Sequence, residues 1–295
     1  MKTGWLVVNH FLQTGKFTDL YERLQRAAER VGLSLSLKTG CDLLMEISSG
    51  FLLNIGEEPD FVLFWDKDIR LAKMLERLGL RLFNQASAIE ICDDKSLTHL
   101  ELSGVVSMPK TVCAPMTYPG VGYNDLSFVE KAGKVLGYPM IIKECFGSFG
   151  AQVYLVHTLE EAEEKVKSLA GVPFLFQEMI GESYGRDVRL QVVGDRVIAA
   201  MLRYSETGDF RAGITSGGSM KPYEPTERQK ELAVLVCKWL GLDFAGVDFL
   251  FGENEEPILC EVNSNAHFKN LYDCTGVDAA AEIMQYIAEK LEEEA

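Results

Sequence analysis

The chain has no pair of cysteines in CxxC spacing. Its seven cysteines (Cys41, Cys92, Cys113, Cys145, Cys237, Cys260 and Cys274) are odd in number and scattered. That pattern argues against a disulfide frame or zinc site and for reduced thiols in a cytosolic protein. No apolar run approaches the roughly 20 residues needed to span a bilayer. The first apolar stretch, residues 5–8, is short and suits a buried strand better than a signal peptide. Net positive charge is also missing: the formal charge is −15 over 295 residues, which argues against general nucleic-acid binding. There is no GxSxG nucleophile, and the four histidines (His10, His99, His157, His267) form no HExxH pattern. No internal repeat is present. The chain is therefore expected to be cytoplasmic, with no membrane or nucleic-acid partner, and to rely on charged groups rather than a nucleophile.

What is present alternates between two periods. Residues 5–8, a helical stretch capped by Thr18 or Asp19 and ending at Gly32, and alternating residues 33–37 open the chain. Residues 61–65 are another apolar run, residues 66–78 look helical, and residues 81–83 give a short strand. This order predicts a mostly parallel, helix-covered sheet over residues 1–92. From 93 to 180 come a helix opened near Asp94 and Lys95, an extended segment at 109–112, and a helix capped by Asn124 or Asp125. A strand ending in Lys143, a glycine-containing hairpin tip, a helix with a capping box at Thr158 and Glu161, and a strand at 174–180 complete this unit. From 181 to 295 come a hairpin around Gly194 and Asp195, a glycine-rich loop at 207–219, and a helix with a second capping box at Thr226 and Gln229. Another hairpin and a final helix end the chain.

The last hairpin carries the most specific chemistry. The apolar runs 247–251 and 258–262 flank Gly-Glu-Asn-Glu-Glu-Pro, a turn cluster. Folding about Asn254 and Glu255 sets Asp248 across from Glu261, and Asn263, two residues further on, shares the face of Glu261. Two carboxylates and an amide, with no His or Cys, make an all-oxygen set suited to Mg²⁺, with Mn²⁺ as an alternative. The competing reading is a solvated polar hairpin face.

Lys143 leaves an apolar strand just before Gly147, Ser148, Phe149 and Gly150. Its ammonium could neutralise phosphate oxygens while the N–H groups of the loop cover them. The spacing differs from a Walker A loop, and a plain structural turn is the alternative. Gln177, Glu178, Met179 and Ile180 form a strand end whose backbone could hydrogen-bond a flat base, or an ordinary core strand. Asp187, Arg189 and Gln191 share one face of their strand. Arg203 lies on its return limb and Arg211 in the glycine-rich loop; arginine matches carboxylate and phosphate with paired hydrogen bonds.

In this order, these pieces resemble the ATP-grasp superfamily, and within it the RimK-type α-L-glutamate ligase homologues. The likeness rests on Asp94-Lys95, residues 137–143, residues 147–150, residues 177–180, Asp187-Val-Arg189, residues 208–211, Gly217-Gly218, Asp248 and Glu261-Val-Asn263. It implies an α/β and α+β chain: an N-terminal parallel pre-ATP-grasp domain followed by two lobes that clamp ATP. It also implies Lys95 and Lys143 on the phosphates, residues 178–180 as adenine hinge, Asp187 near the ribose and Mg²⁺ at Asp248, Glu261 and Asn263. Arg203 and Arg211 would stabilise a transferred phosphoryl group and an acyl phosphate, which an amine then attacks. The partners implied are ATP, a carboxylate and an amine such as an amino acid or peptide; homo-oligomers are common in such families. Two departures stand out. Gly213 replaces the family's usual Asn before Gly-Gly, and residues 263–269 differ from its usual sequence. Arg189, Asn265, His267 and Lys269 are the candidates for a different acceptor site. A nucleotide-binding module without catalysis and a small-molecule kinase are the rival functions.

Overall fold

Apolar runs followed by amphipathic helices produce the first layer. In the computed structural model, which describes residues 1–294 except 13, 54, 55, 149, 215 and 216, β1 (Thr3–Val8) leads through α1 (Gly15–Arg30) to β2 (Ser34–Thr39). A two-stranded ribbon, β3 (Met45–Glu46) with β4 (Phe51–Leu52), precedes β5 (Phe61–Trp65), α2 (Ile69–Arg77), β6 (Leu82–Phe83) and α3 (Ala86–Asp93). The four main strands are parallel in the order β2-β1-β5-β6. All of β5 and most of β1 are buried, as a parallel sheet covered on both faces requires. The chain leaves β1 toward one edge and β5 toward the other, so the strand order reverses between them.

Next, α4 (Lys95–Glu101), β7 (Thr111–Cys113), α5 (Ser127–Leu136), β8 (Met140–Glu144), β9 (Val153–Val156), α6 (Leu159–Ser168) and β10 (Phe174–Glu178) form an antiparallel sheet, β7-β10-β8-β9, with its helices. The third sheet, β13-β12-β11-β14-β15, is also antiparallel. Its strands are β11 (Arg186–Val193), β12 (Arg196–Tyr204), β13 (Ser219–Pro222), β14 (Phe244–Phe251) and β15 (Pro257–Asn263). Helices α7 (Glu227–Leu240), α8 (Lys269–Thr275) and α9 (Ala279–Glu293) complete the chain. Val188 and Leu190 of β11, Val247 and Phe249 of β14 and Leu232 and Val236 of α7 share one core. The alternation of β11 and β14 turns Asp187, Arg189 and Asp248 to the other face.

The sheets change where the sequence pattern changes, but the cores do not respect those divisions. Helix α9 packs on α1, and Ile283, Ile287 and Leu291 share a cluster with Leu24 of α1, Leu6 and Phe61 of the first sheet and Phe244 of the third. The rings of Trp65 and Phe244 stack, with centroids 5.5 Å apart. Several local expectations shift. α1 begins at Gly15, a turn before the expected caps. α5 begins at Ser127; Asp125 accepts from the Ser127 N–H instead of serving as the cap. At α6, Thr158 caps as expected, but Glu161 reaches one residue further back, to the His157 N–H. The box at Thr226 and Gln229 is complete. α3, α8 and the β3–β4 ribbon lay in segments without a clear periodicity. No helix among the described residues is long and apolar enough to cross a membrane.

Because α9 stitches first and last segments together, Ile287→Ala is expected to lower unfolding free energy by about 2–5 kcal/mol in urea titration. A loss below about 1 kcal/mol would contradict a continuous core at this helix.

Candidate active site

A cleft of about 500 Å³ opens where the three sheets meet. One end is apolar, with Ile141, Val153, Met179, Ile180 and Leu250. The middle carries Lys95, Lys143, Asp187, Arg189, Arg203, Arg211, Asp248, Glu261 and Asn263, and the far end is built by the first sheet and residues 264–267.

The hairpin turns as its sequence demands: Asn254 and Glu255 take positive φ, and Asp248 pairs with Glu261. Immediately beyond, Phe249 pairs with Leu259, leaving Cys260 as the extra residue of a β-bulge. Leu259 and Val262 enter the core while Cys260, Glu261 and Asn263 line the cleft. Strict alternation places Glu261 and Asn263 correctly but misses Cys260, whose Sγ lies 3.7 Å from the Lys143 Nζ.

The face beside this hairpin is a buried lattice of four charges. Arg189 stands opposite Asp248 across β11 and β14, and donates to it twice, both at 2.6 Å. Arg203 stands opposite Asp187 across β11 and β12, and donates to it at 2.6 and 2.8 Å; it also reaches Asp248 at 3.0 Å. The Asp248 side chain is only 3% exposed. Burial pushes the Asp248 carboxyl up, but Arg189 and Arg203 outweigh this and hold it below the usual carboxylate range. For Asp187 burial prevails over Arg203, and its carboxyl is raised. Burial opposes the charge on Arg203 as well, yet the two carboxylates keep its guanidinium well above its ordinary pKa. Asp187 thus reaches the cleft with both oxygens already bound to Arg203.

The cations near the glycine hairpin are less alike than expected. Lys143 is nearly buried, and no carboxylate lies within ion-pair distance of it among the described residues. Lys95 instead donates to the carbonyls of Cys145 and Gly147, at 3.5 and 3.3 Å. Arg211 pairs with Asp209 and donates to the Gly150 carbonyl at 3.2 Å. Both cations therefore hold the glycine hairpin by its carbonyl oxygens. Ser148 lines the cleft; Phe149 lies outside the described residues. Gln177 is buried, bonded to Thr111 and His99, so it contributes wall and not a free amide. Glu178 accepts from the Lys110 N–H at 2.7 Å. Cys145 is buried, and burial lifts its thiol to about 11.

Of the acceptor-side candidates, Arg189, Asn265 and His267 line the cleft, whereas Lys269 does not. Lys269 starts α8, and pairs along the helix with Asp273 at 2.5 Å, which turns it away. Sequence reasoning missed Lys16 and Asp66, both cleft-lining, because one stands in the first turn of α1 and the other just after β5, with no local motif. Gly246 makes the packing of residues 264–267 possible: a Cβ there would stand 2.6 Å from the Ala266 Cβ.

The residues at the hairpin suit a divalent cation. Among the described residues no group of three or more His, Cys, Asp or Glu side chains is arranged to hold a metal. Glu261 makes no hydrogen bond or ion pair among the described residues. The Asn263 Nδ2 is buried and unpartnered. The two arginines occupy three of the roughly four lone-pair directions of Asp248, leaving one on its Oδ1.

The sequence of this cleft matches a known family model. Residues 110–287 match the RimK-like ATP-grasp domain. The chain belongs to the RimK-like ATP-grasp family. It is 35% identical over 225 residues to beta-citrylglutamate synthase B of Danio rerio, covering 75% of this chain and 54% of that protein. With human N-acetylaspartylglutamate synthase A the identity is 34% over 224 residues, 75% of this chain and 56% of the synthase. A probable alpha-L-glutamate ligase of Enterobacter sp. (strain 638) is 34% identical over 219 residues, 73% of this chain and 70% of that one. The chain spans about half the length of the two animal synthases. Among solved structures, a RimK domain ATP-grasp protein from Sphaerobacter thermophilus superposes with a TM-score of 0.71 at 20% identity, over 96% of this chain and 98% of that one. D-cycloserine synthetase DcsG gives 0.74 at 16% identity, over 98% and 99%. These two likenesses show the ATP-grasp fold of this RimK-like chain.

Two outcomes test the site's packing and charge. Gly246→Ala forces Ala266 aside and is expected to cost about 1–3 kcal/mol, read as a lowered urea midpoint. His99 and His267 are both lowered to about 4, by burial first and by Lys143 and Lys16 respectively. Their folded values lie below the unfolded value near 6.5, so the unfolded chain takes up protons first. Stability should therefore fall as pH drops from about 6.5 to 4, by on the order of 2 kcal/mol, and His99→Gln should flatten that slope in urea titrations.

Proposed function

We propose that the protein is an ATP- and Mg²⁺-dependent carboxylate–amine ligase that forms ADP and works through an acyl phosphate. The observation that carries this reading is the cleft itself, in which Glu261 and Asn263 have no competing partner beside the nearly buried Lys143. The names of the relatives, glutamate ligase and two synthases, support the same class. Mg²⁺ would be held by Asp248, Glu261 and Asn263 and would supply neutralisation of phosphate charge.

In this reading the chain's own residues do the following. The apolar end, with Met179, Ile180 and Leu250, receives the adenine, and the backbone at Glu178–Ile180, residues 178–180, reads its edge. Lys143, already desolvated, offers its ammonium to phosphate oxygens at little further cost in hydration. Lys95 and Arg211 hold the glycine hairpin over the cleft by its carbonyls, so the hairpin's N–H groups remain for phosphate. Arg189 and Arg203, fixed by Asp187 and Asp248, present rigid positive charge where a phosphoryl group passes to a carboxylate. Charge prepared in this way needs no reorganisation as the reaction proceeds. The acyl phosphate is then attacked by the amine, phosphate leaves, and an amide remains. Gly213, in place of the family's usual Asn, leaves the metal set to the hairpin alone.

The cleanest variant is Glu261→Gln. Having no internal partner, it should lose at least about 100-fold in ADP release while its melting temperature stays unchanged. Asp248→Asn is a poorer test than the sequence suggests. It leaves two buried guanidiniums short of an anion and is expected to cost about 3–5 kcal/mol of stability as well. Substrate-dependent ADP release, with product mass determined, checks the reading. Undiminished turnover in Glu261→Gln would overturn the metal assignment, and a stable phosphorylated product in place of an amide would make the protein a kinase.

A further inference from the structure

Most charges in the middle of the cleft are matched within the protein. Asp187 and Asp248 are taken up by Arg203 and Arg189, and Lys95 and Arg211 are held at carbonyls of the glycine hairpin. Lys143 and Glu261 differ: they carry opposite signs, line the same cleft, and neither is in an ion pair among the described residues. Lys143 is 9% exposed, so water and salt screen its charge little. Its flexible four-carbon stem leaves the ammonium free to swing toward a carboxylate.

What the ammonium meets instead is the Sγ of Cys260, at 3.7 Å. The contact runs from β8 of the second sheet to β15 of the third. The thiol also feels the carboxylates of Glu261, Asp187 and Asp248. A neutral side chain thus stands among one ammonium and three carboxylates. Sulfur is a weak acceptor, so the contact places the ammonium without neutralising it.

Backbone geometry directs the thiol there. Glu261 pairs with Asp248 and Leu259 with Phe249, which leaves Cys260 as the unpaired residue of the bulge. In an unbroken ladder the neighbours of Glu261 would point away from the cleft. The bulge instead turns two consecutive residues to one side, as bulges beside active sites do when they re-aim a side chain. It delivers a neutral group directly beside Glu261, the carboxylate with no cation of its own.

We propose that Cys260 is a positioning residue that keeps the Lys143 ammonium apart from Glu261, so that both charges stay uncommitted before a nucleotide arrives. The inference rests on the ligase reading for what those charges serve, phosphate at Lys143 and a cation at Glu261. A Lys143–Glu261 pair would have to open before phosphate could enter. Apparent affinity then falls by the fraction of molecules in which the pair is open.

Binding of a non-hydrolysable ATP analogue and of adenosine to the full chain with Mg²⁺, by isothermal titration and competition, tests this in three variants. Cys260→Ser keeps a small neutral spacer and should stay within twofold of the parent. Cys260→Ala opens the gap and should weaken the analogue at least about threefold; Cys260→Asp hands Lys143 a carboxylate and should weaken it at least about tenfold. Adenosine brings no phosphate and should bind every variant within twofold of the parent. If melting shows that Cys260→Asp does not fold, the alanine and serine variants decide. Unchanged analogue affinity in Cys260→Ala overturns the proposal, as does a loss in Cys260→Ser equal to that in Cys260→Ala. An equal loss for adenosine also overturns it, making Cys260 a packing residue for the base. In turnover the loss in Cys260→Ala should fall on KM for ATP, with kcat changed less than twofold. The expected binding pattern without amide formation would remove the ligase reading and leave the positioning role. Amide formation with unaltered KM for ATP in Cys260→Ala would do the reverse.

Discussion

Asp187, Asp248, Arg189 and Arg203 lie on one face of the third sheet, nearly out of water and summing to zero charge. Each carboxylate faces a guanidinium on the neighbouring strand, and Arg203 links the two pairs. Such a group is expensive to desolvate and tolerable only when every charge is matched. The register of β11 between β12 and β14 is therefore tied to the site: a slip of one residue would send Asp187 and Arg189 into the apolar core. The same matching keeps the guanidiniums in place before any ligand arrives, which is the form of preorganised charge that phosphoryl chemistry uses.

Around this lattice the rest of the cleft divides by what remains unmatched. Glu261, Lys143 and Asn263 retain capacity that the fold does not consume. Lys95 and Arg211 are spent on the carbonyls of the glycine hairpin, which gives them a positioning role over its tip. The bulge at Cys260 turns two consecutive residues of β15 to the cleft and sets the Cys260 Sγ 3.7 Å from the Lys143 Nζ of β8. Binding elements from three sheets converge here, and α9 with the Trp65–Phe244 stack holds the first sheet against the third so that they can.

Much of the side-chain set that lines the cleft was legible in the sequence because it depends on short-range pattern. Turn residues between two apolar runs set Asp248 against Glu261, and a period of two carried Asn263 to the same face. Lysine at the end of a buried strand, followed by paired glycines, marked the hairpin loop. The capping residues Thr158 and Thr226 marked helix starts for the same local reason. Lys269 shows where such reading stops: its place in a segment that departs from the resembling family suggested an acceptor site, but helix α8 begins there and turns it to Asp273. Lys16 and Asp66 carry no motif at all, and only the meeting of β1 with β5 brings them to the site.

The sequence by itself determined which residue types stand at the hairpin, acidic and amide side chains with basic neighbours, and the alternation that sorts each strand into core and cleft. Tertiary structure decided which charges are consumed by one another and which stay available. It also decided that the last helix completes the first layer's core and that residues 265–267 reach Asp66 and Lys16, some 200 and 250 positions away. The physical reason is that side-chain direction follows from local backbone period, whereas the partner of a charge follows from which distant strands lie opposite. That depends on the summed burial of the whole chain and on no segment alone.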